Sequence, residues 1–445
     1  MLRTKWLLII CTILTSACRS PDIRPTINIP LQWPHGPQIT INEQVDLPDF
    51  LWWKTFHSTE LNKLIETALH QNNHLNIAIA KIDYAQSRLQ EVKLNWLPGM
   101  SILTGYSQFP VLGNPGAMVI AAPAYILNIF QQYKEQKSAQ ALVQASQYAK
   151  EGVRLIIIAQ VSSRFFTVIA QLEAIKIYNS LLENYTINLR LAQTKYQSGL
   201  IAQDDLDELN SEINQVQSQI TRLKNDIVIN KNELHFLLNE NPGELVLHTS
   251  FKKTNINPVI PSQLPVTVLN NRPDIQQAKT LLKAANADVG AVAAQLLPSI
   301  TLGAYLGNGT SIPGAINLSE YYLNIPAVNL PVFAQIKAEK VRVKALWIQY
   351  VDTIKGALRD VDNDLATYQA QTAQLHDIQA AYQHEKQHCH WVNARYKHGI
   401  EDNLNVVHCQ IKLAQLHLRL NQSRLEKVLV LARLYQDLGG GYCEH

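Results

Sequence analysis

Two cysteines, Cys389 and Cys409, have the positions in this chain that most directly suggest covalent chemistry. Each lies ten residues from Gly399, one before it and one after it. If the chain reverses at that glycine, both cysteines reach the same level of a helical hairpin and could form a disulfide in an oxidising compartment. The alternative is that both are buried thiols that replace leucine on an apolar seam. The sequence leaves both interpretations open.

Three histidines, His384, His388 and His390, lie close to Cys389. His384 and His388 share one helix face, which is a spacing that metal sites use. A polar run on a solvent-facing helix is far more common, so no metal site is expected here. The sequence also contains no Gly-rich phosphate loop, no nucleophile elbow and no His-Glu-x-x-His. These patterns predict that the chain is not an enzyme and needs no cofactor.

A further cysteine, Cys18, follows an export signal. Arg3 and Lys5 precede an apolar run from Trp6 to Leu14, and this order is typical of a cleaved signal peptide. The small residue before Cys18 resembles a bacterial lipobox, although Thr15 stands where that motif usually has leucine. We therefore expect a signal peptide at 1–17 and a lipid-anchored segment at 18–57. Simple secretion with an incidental cysteine is the alternative.

The composition and the placement of proline indicate which structural elements hold these side chains in place. The chain has 445 residues and a net charge of +3, which gives no reason to expect a nucleic-acid partner. No proline occurs between Pro123 and Pro242 or after Pro331. At about 1.5 Å per residue, a helix over 130–199 would be roughly 100 Å long. The mature chain has no run of 18 consecutive apolar residues, so any membrane crossing is expected to use strands.

The chain also contains an internal repeat. A shift of 200 positions places Leu97-Pro98 on Leu297-Pro298 and the run Lys195–Leu200 on Arg395–Ile400. Because prolines and glycines agree at one fixed offset, the match is more than a similarity of composition. The sequence predicts two tandem copies, 58–257 and 258–445, each with a helix, a strand pair and a long helical hairpin.

Each copy is predicted to contain the same elements. Helices are expected over 60–96 and 274–296, each stopped by a Leu-Pro pair. Alternation of apolar and polar residues predicts strands near 100–106 and 299–306, and second strands near 119–127 and 321–330. Glycine-rich turns are expected at 113–116 and 307–309.

The long helices carry a coiled-coil pattern, with apolar residues at alternating spacings of three and four. Gly199 and Gly399 are predicted tip turns, at which each long helix reverses into an antiparallel partner. The seam consists of Ile158, Val161, Phe165, Val168, Leu172 and Ile175, and then Leu206, Leu209, Ile213, Val216, Ile220, Leu223 and Ile227.

Four motifs carry a resemblance to a known family. In chain order they are Trp53–Phe56, Asn271–Ile275 with an Arg-Pro-Asp-Ile element, Leu297–Ile300, and Leu434–Gly441 with the ending Leu-Gly-Gly-Gly. In this order they resemble the TolC-like outer-membrane efflux proteins, and within them the lipoprotein branch typified by OprM and NodT.

The resemblance implies a mainly α fold with a small β part and a homotrimer that shares a twelve-stranded outer-membrane β-barrel. An α-helical barrel would continue from it into the periplasm. This agrees with the strand count, because four strands cannot close a barrel and open edges in lipid would be costly. The implied partners are outer-membrane lipid, a periplasmic adaptor protein and an inner-membrane RND-type pump.

The implied function is a passive exit duct for drugs or other small solutes, opened by iris-like movement of the helix tips. Two alternatives remain at this point. One is the exit duct of a type I protein secretion system, and the other is a periplasmic coiled-coil scaffold that forms no pore.

The resemblance also points to gate residues near the tips. Asp205 and Tyr396 match positions that hold the closed state by an inter-helix hydrogen bond. Glu401 replaces an arginine of that lock, and Asn405 and His408 replace a ring of aspartates. Three copies of His408 would make the constriction sensitive to mildly acidic pH. The alternative is a solvated histidine without a gating role.

Overall fold

The computed structural model describes residues 29–30, 33–34, 47–107, 116–256, 270–309, 316–326 and 329–442. The predicted signal peptide, Cys18 and most of the turn at 113–116 lie outside these residues. The chain forms two compact units, and each unit draws on both copies of the repeat. The first contains Ala78–Ala149 and Pro273–Lys355, and the second contains Ile29–Ile77, Lys150–Arg272 and Gly356–His445.

The described elements follow the predicted order in each copy. In the first copy they are α1 (Thr59–Gln71), α2 (Asn73–Leu94), β1 (Gly99–Ser107), β2 (Gly116–Leu127), α3 (Ile129–Gln197) and α4 (Gln203–Leu237). In the second copy they are α5 (Pro273–Ala293), β3 (Ser299–Gly309), β4 (Ile316–Asn324), α6 (Leu330–Lys397) and α7 (Asn403–Leu438). In both copies a strand pair comes before a hairpin of two long helices, as the repeat predicts.

The four strands form one antiparallel sheet in the order β1-β2-β3-β4. Its register places Ile102 beside Ala121, Ala121 beside Leu306, and Leu302 beside Tyr321. Because side chains alternate along a strand, these residues lie on one face. That face is rich in exposed apolar side chains, among them Met100 at 72% and Tyr321 at 81% exposure. An exposed apolar face of this kind is typical of a surface that contacts a membrane or a partner.

Gly307 and its neighbours correct one prediction. The glycine-rich stretch 307–309 was expected to be a turn, but it ends β3. A Cβ atom at Gly307 would overlap the backbone carbonyl of Val119 on the adjacent strand. The glycine is therefore required for close packing of two strands. As a result β4 starts earlier than predicted and covers Ile316–Asn324 instead of 321–330.

The predicted helix over 60–96 is also corrected, since it breaks into α1 and α2 at Asn72. The side chain of Asn72 is buried, and its Oδ1 accepts a hydrogen bond from the backbone N–H of His74 at 2.8 Å. Asparagine is a preferred residue at the start of a helix for this reason. The equivalent break in the second copy is at Pro273, where α5 begins.

The core of the second unit contains the predicted seam and more. Ile158, Val161, Phe165 and Val168 are fully buried. Phe166 and Ile169, which do not belong to the predicted seam, are also buried. This part of α3 therefore buries a wider stripe than a two-stranded coiled coil would, because several elements pack around it.

Helix α3 is also long and apolar enough, by length and composition, to cross a membrane. However, 61% of its most apolar window is buried inside the protein. A mostly buried window of this kind is typical of a core helix.

Candidate functional site

Three of the motifs that carry the resemblance meet in the second unit. Trp52, beside the opening motif, stacks on Tyr435 of the terminal motif with ring centroids 5.1 Å apart. Gly441 has a φ of 83°, and a Cβ atom there would lie 2.7 Å from the ring of Trp53. At Gly439, with a φ of 76°, a Cβ atom would lie 3.0 Å from the backbone carbonyl oxygen of Asn271. The glycines of the terminal motif are thus required where the chain end packs against the other two motifs.

A pair of equivalent hydrogen bonds shows that the repeat extends to individual contacts. In the first copy Asn72 Nδ2 donates to the carbonyl of Leu237 at 2.7 Å. In the second copy Arg272 donates to the carbonyl of Asp437 at 2.8 Å. Both donors and both acceptors are 200 positions apart. The arginine of the Arg-Pro-Asp-Ile element therefore contacts the end of α7.

Two carboxyl groups lie next to this contact. Burial raises the pKa of Asp364 to about 7, and its hydrogen bond with Asp437 acts in the same direction. Burial also raises the pKa of Asp437, against the lowering effect of Arg272. Arg433 Nε contacts Asp364 Oδ1 at 2.9 Å. A protonated Asp364 can therefore donate to the Asp437 carboxylate.

The two hairpin tips have the same local geometry. Gly199 and Gly399 have φ values of 70° and 73°, a conformation that glycine adopts without strain. The N–H groups of Leu200 and Ile400 donate back to Lys195 and Arg395, each at 2.9 Å. This closing pattern satisfies carbonyls at the ends of α3 and α6.

Charged side chains connect the tips. Lys195 of the first hairpin contacts Asp402 of the second at 3.1 Å, and this hydrogen bond lowers the pKa of Asp402. Within the second tip, Glu401 accepts from Asn405 at 2.6 Å and from Arg395 at 3.1 Å, and both bonds lower its pKa. Sequence reasoning missed the Lys195–Asp402 contact. The repeat places Lys195 on Arg395, but it does not tell which acid each cation meets.

The predicted gate residues are all at the tips, but the chain does not join Asp205 to Tyr396. Asp205 accepts from the backbone N–H of Ala202 at 3.1 Å and so caps the start of α4. Tyr396 is 41% exposed, and within the described part of one chain it makes no hydrogen bond to Asp205. Glu401 and Asn405 bond to each other, and His408 is exposed.

Cys389 and Cys409 face each other across the second hairpin. Their Cα atoms are 5.6 Å apart and their sulphurs are paired as a disulfide. Both are buried at about the level of neighbouring seam residues. Glu385, His388 and Cys409 each offer one potential ligand atom, and these three atoms lie within 4.8 Å of one another. Sequence reasoning considered His388 with the other histidines and overlooked Glu385, which is brought to Cys409 by the packing of α6 on α7.

Comparison with known proteins shows which family has this architecture. The sequence profile of the outer membrane efflux protein family matches residues 64–240 and again 264–440. The two matches are 200 positions apart, which is the offset of the internal repeat. The chain belongs to the outer membrane efflux protein family. The mainly helical fold with a small sheet and two tandem copies, predicted from the sequence, is thereby confirmed.

Named relatives in the outer membrane efflux protein family span nearly the whole chain. The toluene efflux pump outer membrane protein TtgC of Pseudomonas putida is 26% identical, over 95% of this chain and 92% of its own length. The pyoverdine export outer membrane protein OpmQ of Pseudomonas putida is 28% identical, over 96% of this chain and 95% of its own length. The chain is accordingly an outer-membrane transport protein and not an enzyme.

Solved structures of outer-membrane channels share the fold. The channel OprN superposes with a TM-score of 0.82 at 21% identity, covering 96% of this chain and 99% of its own. The open state of MtrE from Neisseria gonorrhoeae superposes with a TM-score of 0.81 at 21% identity, covering 95% of this chain and 98% of its own.

Proposed function

We propose that three copies of this chain form the outer-membrane exit duct of a tripartite efflux system for drugs or other small solutes. The observation that carries the proposal is the family match over both copies, together with a sheet too small to close. The sheet ends in β1 and β4, and an open sheet in lipid would leave backbone groups unsatisfied at both edges. Pairing β1 of one chain with β4 of the next would remove the edges and create a twelve-stranded barrel.

The proposed partners are a periplasmic adaptor and an inner-membrane pump of the RND type. The relatives TtgC and OpmQ carry names that refer to efflux of toluene and export of pyoverdine. These names favour a duct for small molecules over one for type I protein secretion. A scaffold without a pore would leave the exposed apolar face of the sheet without a role.

The tips form the proposed gate. The Lys195–Asp402 contact joins the ends of neighbouring hairpins and is partly exposed, so outward movement of one tip can break it. Asp205 and Tyr396 are proposed to meet between subunits in the closed channel. This arrangement would let the tips open as an iris while the buried core of the second unit stays packed.

His408 is proposed to make the tip sensitive to pH. Histidine gains a positive charge in mildly acidic solution, and three imidazolium groups near a constriction would oppose the passage of cations. Cation conductance of the purified channel should therefore fall between pH 8 and pH 5, and His408→Gln should remove the change. A flat wild-type conductance over that range rules this role out.

Cross-linking of the two sheet edges tests the proposed assembly. Ser101→Cys on β1 and Glu320→Cys on β4 place one thiol on each edge strand and on the same face of the sheet. A short bis-maleimide should join purified chains into dimers and trimers and nothing larger. The control combines Ser101→Cys with Thr301→Cys on the central strand β3, which should give far less cross-linking between chains.

The same preparation is then inserted into planar bilayers, where the trimer should form a water-filled pore. A protein that stays monomeric in detergent, or trimers without conductance, would contradict the proposed function.

A further inference from the structure

We propose that Glu385, His388, Cys389 and Cys409 form a thiol-dependent site for a divalent transition-metal ion such as Zn²⁺. The site is available when the Cys389–Cys409 disulfide is reduced. Thiolate, imidazole and carboxylate are the ligands that Zn²⁺ prefers, and four of them complete a tetrahedral site.

The geometry of the hairpin brings the four side chains together. Glu385, His388 and Cys389 occupy positions i, i+3 and i+4 of α6, so they lie on one face of the helix. Cys409 reaches the same point from α7, with its Cα 5.6 Å from that of Cys389 and its Sγ 4.0 Å from Glu385 Oε1. Ligand atoms about 2.0–2.3 Å from a Zn²⁺ ion lie within roughly 4 Å of each other. Small side-chain rotations therefore suffice to bring all four onto one ion.

Burial adds to this argument. Glu385, Cys389 and Cys409 are 8%, 4% and 5% exposed, whereas His388 is on the surface. A buried carboxylate is unfavourable unless it is paired or binds a metal. Here Glu385 is paired with Lys412, whose amine lies 2.8 Å away and whose side chain is 66% exposed. Lys412 can leave toward solvent when a cation arrives, and His388 marks the side from which the ion enters.

The first hairpin shows that packing alone does not require these residues. At the equivalent positions, 200 residues earlier, it has Tyr185, Asn188, Leu189 and Leu209. Tyr185 donates a hydrogen bond to Glu212, which is equivalent to Lys412. The same backbone arrangement is thus filled without a thiol, imidazole or carboxylate at any of the four positions. All four positions carry metal-binding side chains in the second copy only.

The redox step and the binding step each balance. A dithiol reductant supplies two electrons and two protons to the disulfide, which becomes two thiols while the reductant becomes a disulfide. A divalent ion then replaces the two thiol protons, which are released to solvent. Oxidation by a disulfide-bearing oxidoreductase reverses both steps and expels the ion.

Metal binding to the purified full chain tests the proposal, in a Cys443→Ser background that removes a cysteine outside the site. The protein is reduced with a phosphine, the phosphine is removed, and Zn²⁺ is titrated against a chromogenic chelator. Reduced protein should bind one ion per chain and the oxidised protein none at the same concentration. Co²⁺ should give a thiolate charge-transfer band in the reduced form only. This comparison needs no substitution at the site, so it does not depend on any variant folding.

Variants then assign the ligands. Cys389→Ser with Cys409→Ser should abolish binding, and Glu385→Gln or His388→Gln should each weaken it by at least about tenfold. A matched control adds Leu189→Cys and Leu209→Cys to the double-serine protein. It restores two facing thiols, with Tyr185 and Asn188 at the positions equivalent to Glu385 and His388, and should also bind at least about tenfold more weakly. Helical circular dichroism and oligomer size check each variant.

Three results would overturn the site. The first is reduced wild-type protein that binds Zn²⁺ no more tightly than the double-serine variant. The second is equal binding before and after reduction. The third is binding that survives in the double-serine variant and is lost with His384→Gln and His390→Gln, which would show surface histidines only. None of these readouts depends on export or on pore formation.

Discussion

At the scale of single residues, the buried Asp364–Asp437 pair gives the most specific expectation about pH. The pKa of Asp364 is about 7 in the folded chain and about 3.9 for an unfolded aspartate. Between these values the folded state holds a proton that the unfolded state has lost. Stability should therefore fall as the pH rises from about 4 to about 7.

Replacement of Asp364 by asparagine removes this dependence while keeping a donor toward Asp437 and an acceptor toward Arg433. We expect Asp364→Asn to raise the thermal midpoint at pH 8, and to change it little at pH 4, in circular dichroism of the detergent-solubilised protein. Asp352→Asn, at an exposed position of the same helix, is the control and should have no effect at either pH. A wild-type midpoint that rises from pH 5 to pH 8 would contradict the assignment.

At the scale of elements, the break between α1 and α2 depends on Asn72. Its replacement by alanine leaves the buried carbonyl of Leu237 without this donor and removes the cap of α2. Asn72→Ala should therefore cost about 1–3 kcal/mol in the free energy of unfolding, measured by guanidinium unfolding in detergent. Asn73→Ala removes only an exposed hydrogen bond to Asn239, so it should change the free energy of unfolding by no more than about 0.5 kcal/mol. Equal effects of the two substitutions would argue against the cap.

The same elements show what the sequence could predict. Hydrophobic spacing and the 200-residue offset were enough for the order of helices and strands, because both depend on local periodicity. The break at Asn72 left a local sign, since asparagine is a common residue at the start of a helix, but the carbonyl of Leu237 that its amide meets lies 165 positions away. The role of Gly307 was missed because its cause is a neighbouring strand. For the same reason the sequence could align Lys195 with Arg395 but could not pair Lys195 with Asp402. Contacts between distant segments decide such details, and they leave no local pattern.

At the scale of the whole molecule, the proposed lipid anchor at Cys18 can be separated from the pore. We expect the mature chain to incorporate labelled palmitate in cells and to lose all of the label on Cys18→Ala. Cys443→Ser is the matched control and should keep it. Label that persists in Cys18→Ala would place the lipid elsewhere or show simple secretion of the chain.

The division of the chain into two compact units has a consequence for its ancestry. Each unit is completed by segments from both copies, so a shorter ancestor with one copy would have needed a second molecule to finish either unit. Association of two separate molecules decreases on dilution. A covalent connection instead holds the two halves at a high effective concentration, whatever the amount of protein. Gene fusion would thus have freed the fold from its dependence on expression level. It would also have let the two halves acquire different side chains at equivalent positions.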